Sequence, residues 1–144
     1  MQLIPPLLLL LLAGAGCGNQ TVSLAVPTPS ASCASGMAIV GVHDGFLQIL
    51  CGCTETAGTS ATPPAALTCT VAAGTVVVFE YVGTSARRQI RSTASAALTF
   101  AGSPVVDPHE ATSPRAHAVR LSTAGTYAFE DELDASLNGS IVVQ

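Results

Sequence analysis

Cysteines and histidines are the residues of this chain best equipped for chemistry. Cys51-Gly52-Cys53 sets two thiols at i and i+2, with His43 upstream and Cys33 and Cys69 on either side. On a strand such a pair shares one face, and two thiolates there would make a soft-metal site suited to Cu(I) or zinc. The competing reading is structural. Cys33, Cys51, Cys53 and Cys69 form an even set, and an oxidising compartment converts such thiols to disulfides. Cys51 and Cys53 would be strained as partners of each other. The pairings left open are 33 with 51 plus 53 with 69, or 33 with 53 plus 51 with 69. Closing the loop to Cys69 would contribute roughly 3 kcal/mol in the chain-entropy model. The disulfide reading is adopted, with the metal site as its rival.

The remaining cysteine, Cys17, belongs to a different chemistry. The opening MQLIPPLLLLLLAGAGCGNQ has an apolar stretch from Leu3 to about Ala15, shorter than the ~20 residues of a spanning helix, and reads as a signal peptide over residues 1–16. Small residues lead into Cys17 in the pattern of a bacterial lipobox, although Gly14 stands where Leu is preferred and the first residues carry no positive charge. The expectation is a lipidated Cys17, an anchor in the bacterial cell envelope, and, with Gly18 after the Cys, sorting to the outer membrane facing the periplasm. The alternative is cleavage after Ala13-Gly14-Ala15, which would release a soluble periplasmic or secreted protein.

Composition narrows the classes further. The 144 residues carry a net charge of −4, contain no Lys, and place their five basic residues at Arg87, Arg88, Arg91, Arg115 and Arg120. No basic surface for nucleic acid exists in such a chain. No G-x-S-x-G elbow, H-E-x-x-H pair or phosphate-binding Gly loop is present, so the chain is read as no enzyme. His109, beside Asp107 and Glu110, and His117 are read as a solvated loop residue and a half-buried strand residue rather than an acid–base pair. Four of the nine acids crowd into Glu130, Asp131, Glu132 and Asp134.

The elements that must position these residues are strands. Residues 17–36 are Ser-, Thr-, Ala- and Pro-rich, a tether between anchor and domain. Met37–Val42 and Phe46–Cys51 flank His43-Asp44-Gly45, a hairpin signal. Residues 55–66 read as a loop. Leu67–Val71 and Thr75–Val82 form the clearest strand pair, and shorter strands are expected at 88–92, 97–100, 116–121, 126–131 and 140–144. Pro104, Pro108 and Pro114 mark an irregular connection. No helical period is sustained. Eight or nine short strands predict an all-β, antiparallel Greek-key sandwich over residues 37–144.

Leu67-Thr68-Cys69-Thr70-Val71-Ala72-Ala73-Gly74-Thr75-Val76-Val77-Val78-Phe79 resembles the strand, Gly turn and strand of the cupredoxins. Thr123-Ala124-Gly125-Thr126-Tyr127-Ala128-Phe129, followed by Asn138-Gly139-Ser140-Ile141-Val142-Val143, resembles their Gly-Thr-Tyr segment and last strand. The resemblance runs from Leu67 to Gln144 and implies the small copper-protein sandwich. It also implies where copper ligands would stand. The first His place falls within Ala86–Gln89 and holds Arg88 among its residues; the Cys place holds Asp131, the second His place Asp134 and the Met place Leu137. A blue-copper centre needs a thiolate and two imidazoles, so the ligand places are read as vacated.

Strand alternation would carry Asp131 inward behind Tyr127 and Phe129, where a carboxylate needs a partner. The resemblance sets Arg87 to Arg91 beside it, and a bidentate arginine pair with Asp131 or Asp134 is one expectation. A solvated acidic loop, or a Ca²⁺ held by the carboxylates, are the others. The function expected is a noncatalytic, cofactor-free binding or structural module whose membrane contact is its lipid anchor and whose protein partner the residues do not name. The alternative is a periplasmic copper-binding or electron-transfer protein using His43, His109 or His117 with Cys51 and Cys53.

Overall fold

The structure, a computed structural model, describes residues 33–55 and 66–144. The expected signal peptide, Cys17 and the tether up to residue 32 lie outside the described residues, as does most of the expected loop, from 56 to 65.

Nine strands follow in order: β1 (Met37–Val42), β2 (Leu47–Cys51), β3 (Thr54–Glu55), β4 (Ala66–Val71), β5 (Thr75–Tyr81), β6 (Ile90–Ser92), β7 (Ala116–Leu121), β8 (Gly125–Asp131) and β9 (Asp134–Val143). They form a four-stranded sheet ordered β2-β1-β5-β7 and a five-stranded sheet ordered β3-β4-β9-β8-β6. The two sheets make the all-β sandwich that the alternating strands predict. Within it two pairings, β1 with β5 and β4 with β9, are parallel. The chain crosses between sheets after β2, β4, β5, β6 and β7, so strands far apart in sequence enter a sheet from the same end. Hairpins remain antiparallel, including β1–β2 around His43-Asp44-Gly45 and β8–β9.

Three expected elements differ. Residues 97–100 carry no strand: Phe100 turns its ring onto Phe79 while Ser92 Oγ accepts its backbone N–H at 2.8 Å, which draws the segment out of any ladder. The last strand starts at Asp134 rather than near Ser140, because the β8–β9 hairpin closes past a register shift at Glu130/Asp131 with Asp131 opposite Asp134. The edge of the expected loop is already paired as β3, with Thr54 opposite Thr70 and Glu55 opposite Cys69.

The core lies between the sheets, and buried residues alternate with outward ones along β4, β5 and β8. Val77, Phe79 and Tyr81 face Leu67, Cys69, Tyr127, Phe129, Leu137 and Ile141, all buried. Phe79 from one sheet meets Phe129 from the other edge-on at 5.0 Å between ring centres, a geometry favoured by the ring quadrupoles.

With few aromatics, covalent links assist. Cys33 pairs with Cys51 and Cys53 with Cys69. Gly52 divides the two bridges at the corner where the chain leaves one sheet for the other. Its φ is +78°, and a Cβ there would sit 2.2 Å from the Met37 carbonyl oxygen. Only glycine can turn this corner. The turn sends Cys51 back to the segment preceding β1 and Cys53 forward to β4.

Candidate functional site

Asp131 ends β8. Tyr127 and Phe129 point into the core, and the two-residue period carries the Asp131 side chain after them to complete burial. A carboxylate in that position must be met by donors. Its Oδ1 accepts the Gln89 and Leu133 backbone N–H groups, each at 3.0 Å. Its Oδ2 faces Arg88 Nη1 at 3.3 Å.

Arg88 is only 4% exposed. Its backbone is clamped to Val106 in both directions, at 3.0 and 2.8 Å, in an isolated two-residue bridge that aims the side chain across the end of the sandwich. Nη1 also donates to Asp134 Oδ2 at 3.0 Å, and Nη2 donates to Asp44 Oδ1 at 2.8 Å. The remaining carboxylate oxygens are taken as well. Ser85 donates its N–H, at 2.7 Å, and its hydroxyl to Asp44 Oδ2, and Ser136 donates both groups to Asp134 Oδ1. One guanidinium thus joins the β1–β2 turn of one sheet to the β8–β9 hairpin of the other.

The charges hold one another in place. Burial would lower the Arg88 pKa, but the hydrogen bonds it donates to Asp44, Asp134 and Asp131 outweigh it and raise the group above its ordinary value. For Asp44 burial pushes the carboxyl upward, and the bonds from Arg88 and Ser85 overcome it, bringing it down to about 2. Ser136 and then Arg88 hold Asp134 below its usual range. Next to this cluster His43 is buried and stacked on Phe46 at 4.3 Å; burial lowers its pKa, against a Gln48 hydrogen bond and the Asp44 charge.

Of the residues singled out in the sequence, Arg88, Asp131 and Asp134 meet, whereas Leu137 is fully buried in the apolar core. Asp44 was read only as a turn residue. Its role follows from the approach of two hairpins about ninety residues apart in the chain, for which no local pattern exists. The other basic residues of that segment turn to separate partners: Arg87 to Asp107 at 3.8 Å, Arg91 to Glu130 and Glu132 at 3.2 and 2.8 Å. His109 is exposed, its backbone N–H donating to Asp107 Oδ1, and His117 Nε2 lies 2.8 Å from the Ala101 carbonyl oxygen. Among the described residues no group of three or more His, Cys, Asp or Glu side chains is arranged to hold a metal ion.

Solved structures share this arrangement of strands. An oxidised proline-to-glycine variant of amicyanin aligns at a TM-score of 0.50 and 15% identity, covering 82% of this chain and 91% of its own. The chain has a cupredoxin-like fold. The purple cupredoxin of Nitrosopumilus maritimus aligns at 0.47 and 15% identity over 75% of this chain and 98% of its own. An oxidised methionine-to-leucine variant of amicyanin aligns at 0.49 and 14% identity, over 78% and 86%. No protein-family model and no curated protein matches the sequence.

The donor set of this cupredoxin-like domain does not fit a blue-copper centre. At the places that the sequence resemblance assigns to ligands stand a guanidinium, two carboxylates already engaged by it, and a core leucine. The thiolate and imidazoles that give such a centre its bonding are missing there, and a fixed positive charge is in their place.

Two outcomes follow. Arg88→Met strips three carboxylates of their shared cation and should cost about 3–5 kcal/mol in denaturant unfolding, the penalty for breaking a buried pair from one side. Arg88→Lys should recover only part of it, since a point charge cannot fork across three acids. Stability should also fall in acid in two stages. The folded pKa of His43 is depressed below its ordinary 6.5, so its contribution is complete above that pH and is lost as pH falls through the lowered folded value. Asp44 contributes above 3.8 and loses that contribution as pH falls through about 2. Thermal unfolding against pH should show both stages, and His43→Leu should remove the upper one alone.

Proposed function

We propose that this chain is a cupredoxin-like module carried on the bacterial cell envelope by a lipid on Cys17, in which a buried arginine–carboxylate cluster has replaced copper. It works as a noncatalytic binding or structural unit. The observation that carries this reading is the Arg88 cluster itself. Every carboxylate oxygen of Asp44, Asp131 and Asp134 is engaged by a donor, and the cation between them is covalently part of the chain. A bound metal ion would have to displace a guanidinium that three acids hold.

The cysteines support the same reading. Cys51 and Cys53, the thiols on which an unconventional copper site would depend, are both spent in disulfides. Disulfides of this kind persist outside the cytoplasm, which agrees with export ahead of Cys17.

The exported chain, exposed to Cu(II), desalted, and then assayed for metal, visible absorption and free thiol, should show no stoichiometric copper, no blue band and no thiol in the domain. Stoichiometric copper with an intense visible band would overturn the copper-free reading. Feeding cells a labelled fatty acid should mark the chain, and Cys17→Ser should abolish the label and move the protein from the membrane to the soluble fraction. A soluble, unlabelled native chain would instead identify the cleavage after Ala15.

A further inference from the structure

The two outer faces of the sandwich are built differently. On the five-stranded sheet the outward positions of β4, β9 and β8 are mainly polar: Thr68, Thr70, Asn138, Ser140, Thr126 and Glu130. Thr68 and Ser140 lie within hydrogen-bond distance across strands, and Glu130 pairs with Arg91. This is the usual solvated face of a sheet.

The four-stranded sheet departs from it. Its register places three rows on the outside: Met37, Val76 and Arg120; Ile39, Val78 and Ala118; Gly41, Glu80 and Ala116. Leu50 leans over Gly41, its Cδ1 3.3 Å from where a glycine Cβ would be. Met37, Ile39, Leu50, Val76 and Val78 all keep part of their surface in water, and Ala116 and Ala118 are exposed. An apolar centre edged by one acid and one base has the make-up of a contact surface, although its area is modest.

Its charges say what the contact is with. Among the described residues neither Glu80 nor Arg120 has an ion-pair partner, although Arg120 Nη1 donates to the Gly74 carbonyl at 2.8 Å. They stand in the first and third rows, equally far from the Val78–Ala118 row between them. A twofold axis running across the strands through that central row exchanges the outer rows. It sets Glu80 of one copy over the Arg120 row of the other, one strand spacing of about 4.8 Å to the side, within reach of an arginine across sheets about 10 Å apart. The same operation lays Val78 and Ala118 on their own counterparts, where small side chains let two sheets approach.

We infer that the outer face of the four-stranded sheet binds a second copy of this chain, face to face, with two symmetric Glu80–Arg120 pairs fixing its register. The face measures roughly 15 by 17 Å from strand spacing and rise. That is less than the ~800 Å² per partner of a standard interface, so association is weak in dilute solution and grows with concentration. The ion pairs set orientation more than affinity.

Sedimentation equilibrium of the full chain in mild nonionic detergent, from micromolar to near-millimolar concentration, tests this. A reversible monomer–dimer equilibrium is expected. Glu80→Arg sets cation against cation and Arg120→Glu acid against acid, and each should lower the association constant at least about tenfold. The double variant, E80R with R120E, should restore it. Unchanged circular dichroism and thermal midpoint identify the effect as one of contact rather than folding. A chain that stays monomeric throughout overturns the inference, as does a dimer indifferent to the single reversals or a double variant no better than either. Monomers that bind neutral phosphatidylcholine vesicles and lose that binding on Val78→Arg would assign the face to lipid instead, and overturn it too.

Discussion

A fully buried carboxylate, Asp131, sets the terms for one whole end of this molecule. Alternation along β8 forces it inward because Tyr127 and Phe129 must be inside, and a carboxylate there is tolerable only if donors and a counter-charge come to it. The β8–β9 turn supplies Leu133 N–H, the segment before β6 supplies Gln89 N–H, and Arg88 supplies the charge. Arg88 in turn is buried and its remaining N–H donors need acceptors, which Asp134 from the start of β9 and Asp44 from the opposite sheet supply. Serines 85 and 136 complete the outer acids. The chain of requirements thus runs from a strand period to a clamp between two sheets.

Such a cluster is better understood as a specificity device than as a source of stability. Desolvating Asp131 and the Arg88 guanidinium costs several kcal/mol per ion, and their mutual attraction returns little more than that, while Asp44 and Asp134 stay partly in water. The cost is tolerable because the apolar core and the two disulfides stabilise the sandwich independently. The Phe79 and Phe129 rings fill the centre with Phe100 packed against them, and Cys33–Cys51 and Cys53–Cys69 fasten the β1–β2 hairpin, which adds Val40, Val42 and Leu47 to the core, to the segment before it and to β4. What the cluster adds is one permitted alignment of the hairpins, since any slip would leave a buried charge unpaired.

Charge economy extends this logic to the surface. The chain has five arginines, and Arg87, Arg88 and Arg91 all face acids at one end or edge of the sandwich. The outer face of the four-stranded sheet is left nearly uncharged, apart from Glu80 and Arg120. In a protein with so few ionised groups, two that have no ion-pair partner within the described residues and sit symmetrically about an apolar row are a feature of that face's chemistry.

Much of this was legible in the residues. Period-two alternation, turn signals around His43-Asp44-Gly45 and Ala72-Ala73-Gly74, and the absence of helical period determined an all-β sandwich and most strand positions, because side-chain direction along a strand is a local property. The inward aim of Asp131 and its need for a partner follow from the same period, whereas an arginine as that partner was an expectation drawn from the resemblance. Local pattern does not extend to strand order. The parallel pairings of β1 with β5 and β4 with β9, the choice between two disulfide connectivities, and the extension of β9 back to Asp134 all depend on which segments the sheet crossings bring side by side. Asp44 is the clearest case: in sequence it is a turn residue before a glycine, and only the packing of one hairpin over another makes it the third carboxylate on Arg88. Periodicity acts over a few residues and was written in the chain; long-range juxtaposition is settled by how two sheets share one core, and that only the tertiary structure decided.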